Sequence, residues 1–234
     1  MADVLKGHVS PSSGLFSHQH PYFPEDLKLP GYEHPVIPFG QILAVFFAAS
    51  AILFLAVYVF SGQIKHLSAG ERATLCWFAL TGIIHLVVEG AVVSNADFYK
   101  DKSGNFLHEI WKEYAKADSR YASRDAFTIC MEAVTAFIEG PLCFVIIYGM
   151  AKRSPWRYTM QFAVSLGQLY GDVLYFATCW FEGLKHSRPE PLYFWFYFVF
   201  INSIWVVVPF ICMYNAARAI STAVAKGNKH SKSH

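Results

Sequence analysis

Long apolar runs alternate with short polar breaks along this chain. From Pro35 to Ile64 no Asp, Glu, Lys or Arg occurs. Residues 36–60 therefore predict an uninterrupted helix longer than the roughly 20 apolar residues a bilayer needs. The pattern recurs at 72–94, 125–150, 156–181 and 192–218. The expected fold is all-α: a polytopic membrane protein of five transmembrane helices around an intramembrane pocket, spanning 36–218. A polar segment, 1–35, precedes it, and a basic tail, 219–234, follows. Pro11, Pro21, Pro24, Pro30 and Pro35 break up the first segment, which lacks the charged start, short apolar core and small-residue cleavage site of a secretory signal.

Polar residues inside these spans recur at helical spacing. His85 and Glu89 lie four apart, one turn above the other on a single face. Ionisable groups at that depth are costly and normally face a protein interior with a function; hydrogen bonding between helices is the plainer reading. Thr128, Glu132, Thr135 and Glu139 share a face of the third span, where Gly140-Pro141 predicts a kink. Tyr158, Gln161, Ser165, Gln168, Asp172 and Tyr175 form a polar stripe on the fourth, suited to inter-helix bonding or to a pocket wall. Asn202 and Trp205, three apart, follow an aromatic run on the fifth. Between the second and third spans, residues 95–124 mix Trp and Tyr with charges of both signs. That composition predicts an interfacial anchor, with a lid over a lipid entrance as the sharper alternative.

Composition agrees with the membrane assignment. Hydrophobic residues make up 54%, aromatics 17% and charged residues 15%, with a mean hydropathy of +0.31; soluble domains carry about 25% charged residues. A net charge of +2 without a basic stripe excludes nucleic acid as a partner. Cys76, Cys130, Cys143, Cys179 and Cys212 lie in apolar stretches without a Cys-x-x-Cys pair and read as small buried hydrophobes. Lys65, Arg72, Lys152, Arg153, Arg157 and the tail lysines fall on the side that the positive-inside tendency assigns to the cytosol, the carboxyl terminus included.

The groups at membrane depth are His85, Glu89, Glu132, Glu139, Asp172 and Asn202, with Trp205 beside them. No nucleophile triad, phosphate loop or nucleotide fingerprint appears, and one intramembrane histidine is too few for a dedicated metal site. No cofactor is expected. What remains is proton handling in an apolar cavity. A carboxylate about 4 Å from a carbocation stabilises it by roughly 4 kcal/mol at an effective dielectric of about 20. Trp205 adds roughly 2 kcal/mol as a desolvated cation–π partner. The combination suits acid–base migration of a double bond in an apolar substrate.

Several segments also resemble a known family: His20-Pro-Tyr-Phe-Pro24, Leu75-Cys-Trp-Phe78, His85-Leu-Val-Val-Glu-Gly90, Trp111-Lys-Glu-Tyr-Ala-Lys-Ala-Asp-Ser-Arg-Tyr121, Cys130-Met-Glu132, Gly167-Gln-Leu-Tyr-Gly-Asp-Val-Leu-Tyr-Phe176 and Leu192-Tyr-Phe-Trp-Phe-Tyr-Phe-Val-Phe200. In order and spacing, from about residue 20 to 209, they are similar to the emopamil-binding proteins, the 3-beta-hydroxysteroid Delta(8)-Delta(7)-isomerases. The resemblance implies a sterol isomerase of the endoplasmic reticulum membrane and its nuclear-envelope continuation. It implies an 8-ene sterol as substrate, cationic amphiphilic amines as inhibitors, membrane lipid around it, and a homodimer as one arrangement. His85, Glu89 and Glu132 match the family's catalytic residues, and Thr135, Asn202 and Trp205 its substrate and cation contacts; Tyr121 and Asp172 are added as substrate-binding candidates. The expected chemistry adds a proton at C9 and removes one from C7, with Glu132 and His85 as the acid–base pair and Glu89 orienting His85. Ala117 and Glu139 depart from the pattern, and Glu139 has no role in it. A non-catalytic sterol- or amine-binding relative is the alternative, separated by incubation with an 8-ene sterol; a proton-coupled transporter is a second, separated by uptake into sealed vesicles.

Overall fold

The computed structural model describes residues 20–231. The start of the polar segment, with Pro11, and the end of the tail, with Lys232, lie outside the described residues. Seven helices organise the rest. α1 is Phe39–Ser61, α2 Ala69–Ser94, α3 Phe106–Tyr114, α4 Arg120–Ser123, α5 Ala126–Ala151 and α6 Arg157–Phe181; α7 begins at Leu192 and ends with Asn202–Ser231. Among the described residues there is no strand.

Four of these, α1, α2, α5 and α7, are long and apolar enough to cross a membrane. The chain is therefore an all-α polytopic membrane protein. α6 has 25 residues, about 37 Å at the α-helical rise, but its polar stripe keeps it out of that set. It packs along α7 for much of its length.

Local sequence sets the starts of the long helices. Ser68 and Glu71 form a capping box on α2, each side chain bonding the other's backbone N–H. The Glu71 carboxylate also takes Arg157 Nη2, tying α2 to α6. Asp125 caps α5 through Thr128 N at 2.9 Å. Small residues let helices approach: a Cβ on Gly82 would stand 2.9 Å from Cys143 Cβ on α5. α1 is apolar all round and fully buries only Ile42 and Ser61, packing one side on α2 and the cavity and leaving much of its remaining surface for lipid.

Three expectations change. The helix does not end at residue 218 but continues to Ser231, because the tail supplies Ala and Lys without a proline. The kink at Pro141 takes the form of a π turn, Thr135–Glu139, just before it; proline has no N–H to close the ordinary α ladder. Cys130 is exposed, whereas the other four cysteines are buried.

Residues 95–124 also differ from a simple interfacial anchor. They fold with 20–37 and 182–191 into a cap at whose centre Glu109, Lys112, Glu113, Asp118 and Arg120 are buried and paired. Arg120 Nη2 meets Asp118 Oδ2 at 2.7 Å and Lys112 Nζ meets Glu109 Oε1 at 3.0 Å. Glu109 Oε2 accepts from the backbone N–H of Val36 and Ile37 at 2.6 and 2.9 Å, and Tyr22 donates to Lys112 O at 3.0 Å. Pairing of this kind offsets the cost of removing charges from water. The cap closes one end of the helix bundle over the cavity described next.

Candidate active site

All eight residues singled out from the sequence, His85, Glu89, Glu132, Thr135, Asn202, Trp205, Tyr121 and Asp172, line one cavity. α1, α2, α5, α6, α7 and the cap helices contribute to its wall, which is mostly apolar.

His85 sits at the start of a π turn, Ile84–Glu89, in α2 and is 1% exposed. Its Nδ1 lies 2.6 Å from Glu89 Oε2. Its Nε2 lies 3.1 Å from Thr81 Oγ1 and 3.0 Å from Gln168 Nε2. Trp205 Nε1 donates to the same Thr81 oxygen at 3.1 Å. An indole N–H can only donate, so the Thr81 proton is free to point at His85 Nε2. That assigns the His85 proton to Nδ1, donated to Glu89. One directed chain thus runs from Trp205 through Thr81 and His85 to Glu89.

The two carboxyl groups belong to different helices. Glu89 Oε2 accepts from Thr135 Oγ1 as well as from His85. Glu132, 5% exposed, accepts from Tyr121 at Oε1 over 2.5 Å. Glu89 and Glu132 converge on the Thr135 hydroxyl, which donates to Glu89 Oε2 and lies 3.5 Å from Glu132 Oε2. Tyr121 belongs to the cap, and burial pushes its phenol well above the ordinary value, Glu132 adding to the effect. It therefore stays a donor at any working pH. Replacing Tyr121 by phenylalanine is expected to cut kcat by ~10-fold with a folded protein and little change in KM, as steady-state kinetics would read.

The remaining candidates divide. Asp172 Oδ2 is buried and has no hydrogen-bond partner among the described residues. Trp205 packs on Trp77 with centroids 5.7 Å apart and is oriented by Thr81. Asn202 does not join the acids. Its Oδ1 accepts from Tyr114 OH at 2.8 Å and its Nδ2 donates to Phe198 O at 2.7 Å, so it fastens the cap to α7.

Glu139 does not line the cavity although α-spacing put it on the face of Glu132. The intervening π turn, Thr135–Glu139, rotates it away. Its Oε1 lies against Gly167 of α6, where an added Cβ would stand 2.2 Å from it. Gly167→Ala is expected to destabilise the folded protein by about 1–3 kcal/mol through overpacking, visible as a lowered Tm in detergent. Thr81 and Gln168 complete the His85 shell and were not singled out for it. Thr81 is four residues before His85, so helical spacing carried the signal; Tyr114 lies in the cap, where periodicity carried none.

Comparison with known proteins decides the affiliation. Residues 106–216 match the family EBP, described as EXPERA (EXPanded EBP superfamily). The chain is 42% identical over 208 residues to the mouse 3-beta-hydroxysteroid-Delta(8),Delta(7)-isomerase, covering 87% of this chain and 90% of that one. This chain belongs to the emopamil-binding protein family. A probable isomerase of the same name from Oryza sativa subsp. japonica is 41% identical, with 82% and 88% covered. An isomeliandiol synthase from Melia azedarach is 43% identical over a shorter stretch, 67% of this chain and 75% of that one. Emopamil-binding proteins named for sterol isomerisation therefore share more of this chain than the synthase does.

Proposed function

We propose that this protein is a sterol Delta(8)-Delta(7)-isomerase, moving the ring double bond of an 8-ene sterol from C8 to C7. One observation carries the reading: two carboxyl groups from separate helices, Glu89 and Glu132, meet at the wall of an apolar cavity with His85 behind them.

The hydrogen bonds support a division of roles. Glu89 Oε2 receives two donors, His85 and Thr135, the bonding pattern of a carboxylate base. Glu132 receives Tyr121 at Oε1, and its Oε2, 3.5 Å from Thr135 Oγ1, is the oxygen that carries the proton in this reading. Glu132 protonates C9, a tertiary cation forms at C8, and Glu89 removes the proton from C7. The C8–C9 π electrons form the new C9–H bond, and the C7–H electrons form the C7–C8 double bond, so no net proton is consumed. Both ring nitrogens of His85 are engaged by the protein. His85 therefore serves behind Glu89, passing its proton on, rather than facing the substrate as the acid–base partner of Glu132. Ionised Glu89 and the Trp205 indole supply negative charge and a π face along the path of the cation, with Asp172 on the same wall; a cationic amphiphilic amine would occupy the same place.

α6 is the fifth crossing in this reading, its polar stripe facing the cavity and α7 instead of lipid. Lys65, Lys152, Arg153, Arg218 and Lys226 lie at the end opposite the cap, which supports a cytosolic carboxyl terminus and a cap on the lumenal side of the endoplasmic reticulum. The domain then runs from 36 to 218, with α7 extending beyond it. The decisive experiment incubates purified protein with an 8-ene sterol in deuterated water. The expected product is the 7-ene sterol with a single deuterium at C9. Binding without any product would leave the non-catalytic reading standing.

A further inference from the structure

The cavity wall holds polar atoms that the proton chemistry does not use, and those at the cap end form a complementary pair. Glu113 on α3 is 2% exposed and Tyr197 on α7 is 3% exposed, and both line the cavity. Lys116 Nζ occupies Glu113 Oε2 at 2.5 Å. Glu113 Oε1 and the Tyr197 hydroxyl are buried without a hydrogen-bond partner among the described residues. Buried polar atoms left open in this way are costly unless something fills them. One is an acceptor and the other carries a proton to give. Lys116, which holds Glu113, also lies over the Tyr193 ring, and that ring stacks on Tyr197 with centroids 5.9 Å apart, so the two belong to one locality.

Their neighbours are already committed. Trp111 Nε1 donates to Val88 O at 2.7 Å, Tyr114 to Asn202, and Tyr121 to Glu132. The Tyr175 hydroxyl is also open, but its ring lies against Tyr121, which holds Glu132, and so belongs to the layer of the reacting acids. Gln168 and Asp172 are also open, but Gln168 bonds His85 and Asp172 lies one turn from it, in the layer of the reacting acids.

We propose that Glu113 and Tyr197 receive the 3-hydroxyl of the sterol, Glu113 accepting its proton and Tyr197 donating to its oxygen. The proposal rests on the sterol reading of the cavity and adds the polarity with which the substrate lies in it. Position supports it. Tyr197 lies in the π-helical stretch Leu192–Ile201 that opens α7, about one turn nearer the cap than Ile201, which lines the wall beside Asn202. In a sterol the hydroxyl is carried by the ring adjoining the one that holds the 8-ene, a comparable step. The cap end is also the headgroup end of the bundle, where a membrane sterol keeps its hydroxyl. A molecule sliding in from the bilayer would not have to turn over.

The test compares an 8-ene sterol with its 3-O-methyl ether, which removes the donated proton and crowds the oxygen. Both are measured for turnover and, independently, for displacement of a fluorescent sterol from the purified protein. Wild type is expected to bind the free alcohol ~10-fold more tightly than the ether, as a site built around a hydroxyl does. Tyr197→Phe and Glu113→Gln should each weaken binding of the alcohol several-fold and bring the ratio to within about twofold of unity. Equal binding of alcohol and ether by wild type, or an unchanged ratio in a folded Tyr197→Phe variant, overturns the proposal. Turnover and binding fail separately: loss of discrimination in displacement with no product from any sterol keeps the hydroxyl site and removes the isomerase reading.

Discussion

Glu132→Gln is expected to abolish isomerisation while leaving a folded, sterol-binding protein. The side chain is buried on the cavity wall and is held by Tyr121. Glutamine keeps the shape and still accepts that phenolic proton, but it has no acid proton to give. General acid catalysis contributes ~10²–10⁴-fold, and a loss of that order is expected. Product analysis by gas chromatography, alongside thermal unfolding to show that the fold is intact, is the check. Full activity in the folded variant would remove Glu132 from the chemistry and, with it, the assignment of the proton donor.

The second large effect separates Glu89 from His85. Glu89→Gln should lose ~10³-fold in kcat, because it removes the group placed to take the C7 proton. His85→Asn should lose at least ~10-fold less. His85 touches Glu89, Thr81 and Gln168 rather than open cavity through its ring nitrogens, and its part is to hold Glu89 and relay its proton. If His85→Asn proves as inactive as Glu89→Gln, and if added imidazole restores it, the imidazole itself exchanges the proton with the sterol. The order of the two variants thus reads the division of labour directly.

Both experiments bear on a feature of the fold. The two carboxyls belong to spans separated in sequence by the cap, and each sits beside a π turn, Ile84–Glu89 and Thr135–Glu139. A π turn widens the helix and re-aims the side chains around it. In α5 it keeps Glu132 and Thr135 on the cavity while sending Glu139 toward Gly167. A straight helix would have lined up three acids and hydroxyls on one face.

By itself the sequence determined that this is an all-α membrane protein, because charge-free runs of bilayer length have no other way to satisfy their backbone in lipid. It also determined which polar residues would be found inside. Asp172, His85, Glu89 and Glu132 are too costly to leave in hydrocarbon and so had to share an interior. Tertiary structure decided what each one does there. His85 faces Glu89 because Thr81 and Gln168 occupy its other nitrogen, and Trp205, which donates to Thr81, arrives from a helix more than a hundred residues away. Asn202 holds the cap and Glu139 leaves the cavity, for reasons of cross-helix contact and π geometry that spacing along one helix does not contain. The cap itself was invisible to periodicity. Its charges are buried by pairing with one another, and pairing depends on which segments of chain meet in space.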